Sequence, residues 1–223
     1  MDYTYQDIAK MIDHSLLNPT LTDRDLEAGC QLALRYDVAS VCILPYALKR
    51  CAEVLKGSTV QASTTIGFPH GGHNTAVKVA EARQALADGG QELDMVVNLS
   101  KVLSGDWDYV RSDLAAVIDV THQQGQKVKV IFENCYLSDD RKIKLCEICG
   151  RLGADWVKTS TGYGSAGATV ADIQLLRKTV GEGIGVKAAG GIRTLADAIA
   201  MIEAGANRIG ASASVAILNQ LEE

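Results

Sequence analysis

Only 3 prolines interrupt these 223 residues, and no Ser/Gly-rich linker or block of like charge divides them, so nothing marks a seam between two domains. No apolar run reaches the ~18 residues that a membrane-crossing helix needs. The opening Met1-Asp2-Tyr3-Thr4-Tyr5-Gln6 lacks the basic start and apolar stretch of a secretion signal, which points to a cytoplasmic protein. Positive charge is also in deficit. A formal net charge of −5 disfavours nucleic acid or an anionic membrane as partner and leaves small anions held at local sites. The six cysteines, at 30, 42, 51, 135, 146 and 149, mostly lie in apolar contexts where a reduced thiol packs as a small hydrophobe. Cys146-Glu147-Ile148-Cys149 has no second pair and no neighbouring His. His70 and His73 have no carboxylate or third His close in sequence, so neither a metal nor a cofactor is expected.

What is present is a repeating pattern. With 47% hydrophobic residues the chain can bury a full core. Short β-rich runs fall at 11–15, 40–44, 60–66, 93–98, 127–132, 154–160, 184–191 and 207–210, separated by stretches with helical spacing such as 76–88 and 194–203. Several of those stretches end in glycine phrases: Ala87-Asp88-Gly89-Gly90, Arg151-Leu152-Gly153-Ala154 and Glu203-Ala204-Gly205-Ala206. Eight such units predict an α/β protein, a single (β/α)8 barrel over 1–223 with a short N-terminal helical extension. A doubly wound sheet is the rival, but the first strand is followed by Leu16-Leu17-Asn18-Pro19-Thr20 and not by a glycine-rich nucleotide loop.

Two lysines, Lys158 and Lys187, sit inside apolar strand-like runs, where an ammonium is rarely buried without a reason. A lysine amine attacks a carbonyl only when neutral, and bringing its pKa of ~10.4 down to neutrality takes ~3 units, about 4 kcal/mol. A second ammonium ~6 Å away would supply roughly 3 kcal/mol at an effective dielectric of ~20, with partial burial adding the rest. Strand alternation puts Asp94 on a face with Val96 and Asn98, Lys158 with Trp156 and Ser160, and Lys187 with Gly185 and Ala189. If these faces point into the barrel, the three charged groups converge, with the lysines toward the C-terminal strand ends where chemistry collects and Asp94 a little deeper. Lys129, on one face with Glu133, is expected to form a buried ion pair that shapes the barrel, and it could also hold Asp94 charged. Asp13 and His14 close the first strand. Cys42 reads as core, although a thiol near an aldehyde-handling site could react.

Three glycine-bearing turns follow the last three strands: Ser160-Thr161-Gly162-Tyr163-Gly164, Ala189-Gly190-Gly191-Ile192-Arg193 and Gly210-Ala211-Ser212. Such turns let backbone N–H groups approach an anion, and loops after strands 7 and 8 often hold phosphate in this fold. Residues alone leave three functions open: an imine-forming aldolase, a phosphosugar isomerase or other barrel lyase, and a catalytically silent phosphosugar-binding protein.

The sequence resembles the 2-deoxyribose-5-phosphate aldolases from about Ile12 to Ser214. The phrases that carry the resemblance are Asp13-His14-Ser15-Leu16-Leu17, Gly67-Phe68-Pro69-His70-Gly71, Glu92-Leu93-Asp94-Met95-Val96-Val97-Asn98, Val157-Lys158-Thr159-Ser160-Thr161-Gly162, Val186-Lys187-Ala188-Ala189-Gly190-Gly191-Ile192-Arg193 and Arg208-Ile209-Gly210-Ala211-Ser212. The resemblance implies a metal-free, cofactor-free lyase that cleaves 2-deoxy-D-ribose 5-phosphate reversibly to D-glyceraldehyde 3-phosphate and acetaldehyde, in deoxynucleoside catabolism. It implies Lys158 as the Schiff-base nucleophile, Lys187 as the cation that lowers its pKa, and Asp94 as the proton-transfer acid/base. Gly162, Gly190, Gly191, Arg193, Gly210 and Ser212 become phosphate contacts, and Asp13, Ser15 and Thr161 contacts to sugar hydroxyls. Relatives are often dimeric, and the outer helices could support a homodimer. Within the resemblance, Ser15 stands where Thr is frequent, Leu44 where many carry Asn, Asn134 where Thr is usual and Tyr163 where relatives have Phe or Lys. The closing Asn219-Gln220-Leu221-Glu222-Glu223 lacks the C-terminal Tyr that some members use in proton transfer.

Overall fold

The computed structural model describes residues 3–221, so the outermost residues of the 1–223 span, including the closing Glu222-Glu223, lie outside the described residues. Eight parallel strands close on themselves in chain order: β1 (Ile12–Leu16), β2 (Ser40–Ile43), β3 (Gln61–Ile66), β4 (Glu92–Val96), β5 (Lys127–Ile131), β6 (Trp156–Lys158), β7 (Gly185–Ala189) and β8 (Arg208–Ala211). Around them run α1 (Tyr5–Ala9), α2 (Asp23–Arg35), α3 (Leu48–Leu55), α4 (Thr75–Ala87), α5 (Leu99–Leu103), α6 (Trp107–His122), α7 (Asp139–Leu152), α8 (Val170–Val180), α9 (Leu195–Glu203) and α10 (Ser214–Leu218). This is the (β/α)8 barrel that the alternating runs predict. The sixth and seventh runs shorten to Trp156–Lys158 and Gly185–Ala189, because their ends peel away into turns. The first strand continues to Leu16, so Asp13 and His14 lie within it and do not close it.

Local chemistry sets the helix ends. Thr22 and Thr194 cap α2 and α9 by accepting from the amides of Asp25 and Asp197, whose carboxylates accept in turn from the cap amides. Leu26, Gly29, Cys30 and Ala33 form the buried stripe of α2, at the i, i+3, i+4, i+7 spacing that keeps them on one face of the helix. Gly153 ends α7 with φ 73°, a left-handed turn that a side chain would strain. Among the described residues no helix is long and apolar enough to cross a membrane.

The apolar core lies between sheet and helices, where Val41, Leu93, Val128, Val130, Val157, Val186 and Ile209 are fully buried. Each contributes about 1.5–3 kcal/mol relative to exposure. The inner face of the sheet carries charge instead. Parallel register sets Asp94 beside Lys129, Lys129 beside Trp156 and Trp156 beside Gly185, then Lys158 beside Lys187 and Lys187 beside Arg208. Gly185 leaves room for the Trp156 indole: a Cβ there would lie 2.0 Å from its Cδ1. The Arg208 guanidinium sits 4.7 Å from the same ring.

Candidate active site

Seven charged side chains interlock inside the barrel. Lys158 Nζ donates to Asp94 Oδ2 at 2.7 Å, and Lys187 Nζ donates to the same oxygen at 2.7 Å. The two nitrogens are therefore no more than about 5.4 Å apart, twice that bond length, within the range where one ammonium acts strongly on another. Lys187 also reaches Asp13 Oδ2 at 2.5 Å. Below them Lys129 binds Glu92 at 2.5 Å, Asp94 Oδ1 at 2.9 Å and Asp13 at 3.4 Å. Arg208 completes the mesh, holding Glu92 through both guanidinium nitrogens and Asp13 Oδ1 at 2.6 Å.

The mesh contains three carboxylates, Asp13, Glu92 and Asp94, against four basic groups, Lys129, Lys158, Lys187 and Arg208. With every group charged, the interior carries one surplus positive charge in a place where isolated charge is costly. Lys158 is the base with one carboxylate partner, while Lys129 has three and Lys187 and Arg208 have two each. The electrostatics follow this imbalance. Burial, the largest influence, drives Lys158 below its ordinary value; Asp94 opposes it and the Lys187 charge assists it. Burial also works against the Lys187 ammonium, but Asp13 and Asp94 outweigh it and hold the group above its ordinary value. Burial likewise favours neutral Asp94 and Asp13, yet Lys129, Lys187 and their neighbours keep both well below the usual carboxylate range. The sequence reading gave the second ammonium the larger share in lowering Lys158. In the folded chain desolvation comes first, because Asp94 lies between the lysines and blunts their repulsion.

Above the mesh opens a cavity of about 750 Å³ whose lining includes Lys158 and Lys187. Asp13, Ser15, Thr161, Gly162, Gly190, Gly191, Arg193, Gly210 and Ser212 also line it, whereas Asp94 lies deeper, fully buried, and does not. Gly162, Gly190 and Gly191 have φ of 88°, 87° and 84°, and their backbone N–H groups have no protein acceptor among the described residues. The Arg193 amide is already committed to Asp197 at 3.1 Å, so that residue offers the cavity its side chain only. Gly210 carries no Cβ where one would lie 3.1 Å from Lys187 Cε, and so leaves the lysine its path. Cys42 is buried on the same cavity wall, its thiol raised by burial first and by Asp94.

Some side chains are placed otherwise than expected. Lys129 does not pair with Glu133; it turns into the mesh. Glu133 instead accepts the Thr161 amide at 3.1 Å and the Thr161 hydroxyl, which takes part of that hydroxyl's capacity. Asp13 has both oxygens occupied by Lys187 and Arg208. Asn134 is buried with no side-chain partner among the described residues, and neither it nor Leu44 lines the cavity. Cys146 and Cys149 are buried thiols held up by burial, Cys146 to about 12. His70 and His73 are exposed. Sequence reasoning missed Glu92 and Arg208, although alternation puts Glu92 on the face of Asp94 and Arg208 on that of Gly210. It also missed Gly167, where a Cβ would fall 2.2 Å from the Gly190 carbonyl oxygen, so this glycine lets the Gly190 turn settle.

The chain is similar to known proteins over nearly its whole length. The deoxyribose-phosphate aldolase of Rhodopirellula baltica is 61% identical over 98% of this chain and 91% of its own. That of Thermococcus gammatolerans is 53% identical over 95% of each. A solved deoxyribose phosphate aldolase from Aeropyrum pernix, described as a unique tetramer, superposes with a TM-score of 0.92 at 32% identity, covering 99% of this chain and 93% of that one. Residues 8–220 match the DeoC/LacD aldolases, and the chain belongs to that family.

Proposed function

We propose that this single-domain chain is a deoxyribose-phosphate aldolase that cleaves 2-deoxy-D-ribose 5-phosphate to acetaldehyde and D-glyceraldehyde 3-phosphate, and runs in reverse, with Lys158 as the nucleophile. The observation that carries the reading is the pair of lysine nitrogens on one Asp94 oxygen, at the floor of a cavity ringed by free backbone N–H groups. Neutral Lys158 attacks the C1 aldehyde of the open-chain sugar, and loss of water leaves a protonated imine. Acetaldehyde takes two carbons, so the bond that breaks joins C2 to C3. The C3 hydroxyl gives up its proton, its oxygen becomes the new aldehyde, and the bonding electrons flow into the imine as an enamine. Protonation at C2 and hydrolysis then release acetaldehyde and restore the amine.

In this scheme Lys187 stays charged and Asp94 moves protons. While three lysines crowd it, Asp94 is a weak base. Once the nitrogen of Lys158 becomes a neutral enamine, one cation fewer faces Asp94 and its proton affinity climbs when a proton must be handled. The turns at Gly162, Gly190–Gly191 and Gly210–Ser212, with Arg193, would grip the phosphate, and Ser15, Thr161 and Asp13 would face the sugar hydroxyls. We extend the proposal to a homodimer, on the ground that a relative of the same fold assembles as a tetramer; light scattering at about the 23.7 kDa of one chain would refute it.

The experiment is reductive trapping. Borohydride added with acetaldehyde should leave one ethyl group on Lys158, located by mass spectrometry, and none in Lys158→Ala, which should also release no acetaldehyde from deoxyribose 5-phosphate. An unmodified Lys158 in the native protein would remove the imine from the scheme.

A further inference from the structure

In the eight-strand ring β6 stands opposite β2, so the loop after β6 faces the loops after β1 and β3 across the barrel mouth. The Tyr163 side chain crosses that opening. Tyr163, half exposed and lining the cavity, donates its hydroxyl to the Leu17 carbonyl at 2.7 Å. Its ring stands edge-on to Phe68, with centroids 5.5 Å apart and planes at 90°.

On its own side Tyr163 is anchored. Its amide donates to Thr161 Oγ1 at 3.0 Å, and Thr161 is held by both oxygens of Glu133. The next residue is packed tight, since a Cβ on Gly164 would lie 2.8 Å from the Cys135 sulfur. On the far side, the segment after β1 is tied to itself: Asn18 Oδ1 accepts the Thr20 amide and hydroxyl, and the Asn18 carbonyl accepts the Leu21 amide. Leu17, Asn18, Pro19 and Leu21 thus form a stiff wall of the same cavity that the glycine turns line. A chain of bonds runs from Glu133 through Thr161 and Tyr163 to that wall.

We propose that Tyr163 is a positioning residue, a crossbar that acts through Leu17 to hold the wall at 17–21 against the anion-binding turns and so sets the grip on the phosphorylated end of the substrate. The proposal rests on the aldolase reading for its substrate and on the hydrogen bond for its mechanism.

Tyr163→Phe keeps the ring against Phe68 and removes that bond alone. KM for deoxyribose 5-phosphate should rise about three- to tenfold, the span one lost hydrogen bond carries, with kcat within about twofold. Trapping of acetaldehyde on Lys158, a reaction too small to reach the wall, should keep its rate, and amide hydrogen exchange at 17–21 should quicken while that at 127–131 does not. An unchanged KM, a trapping rate that falls with it, or unchanged exchange at 17–21 would each overturn the crossbar. A native protein that traps no acetaldehyde would instead sink the aldolase reading, and the exchange comparison, which needs no turnover, would still decide the tether.

Discussion

In the proposed reaction the Lys158 nitrogen has to be neutral to attack and positive to draw electrons. The fold arranges this by leaving it the base with fewest partners in a mesh that holds one more cation than it can balance. Removing a neighbouring charge should therefore change when it titrates. In Lys187→Leu the opposing ammonium is gone and Asp94 is left freer to hold a proton on Lys158, so both changes raise the pKa of Lys158. The acidic limb of the kcat/KM pH profile should move upward and the rate near neutrality should fall. A limb that stays in place would show that burial alone governs Lys158.

At the scale of the elements, the glycine on β7 opposite Trp156 is as constrained as any charged group. Gly185→Ala places a methyl against a rigid indole wedged between Arg208 and Lys129, and overpacking of this kind costs about 1–3 kcal/mol. Urea unfolding followed by tryptophan fluorescence should show both the loss and an altered Trp156 signal in the native baseline; wild-type stability would mean that the indole moves aside freely. The elements themselves were legible because period-two runs and glycine stops survive folding, and the faces of Asp94, Lys158 and Lys187 followed from alternation. Glu92 and Arg208 obeyed the same rule, but 116 residues separate them, and only closure of the cylinder brings β4 and β8 into reach. Glu133 was misread for a different reason. Alternation stops with β5 at Ile131, and Glu133 takes a left-handed backbone, φ 55°, that turns it toward Thr161 and away from Lys129. Tyr163 sits in a loop, where neither period applies.

For the molecule as a whole, acid should act in two stages. His14 is buried against Ser214, 2.9 Å from its hydroxyl, and burial lowers its pKa from 6.5 to about 4. Between those values the unfolded chain binds a proton that the folded chain refuses, so stability falls as pH drops from 6.5 to 4, by about 3 kcal/mol in all. Asp13 and Asp94, whose folded values lie below 3.8, contribute stability that is intact above that value and drains away only at lower pH. Urea unfolding of His14→Asn should lose the first slope and keep the second; an unchanged slope between 6.5 and 4 would assign it to other groups. The mesh also bears on how such a protein can change over generations. Each carboxylate serves at least two bases, and every base but Lys158 has at least two carboxylates, so losing any acid widens the surplus of cations and losing Asp94 also leaves Lys158 without a counter-charge. Drift within the barrel is thus barred most strictly on its acidic side, where a single substitution deepens an imbalance that the fold already carries.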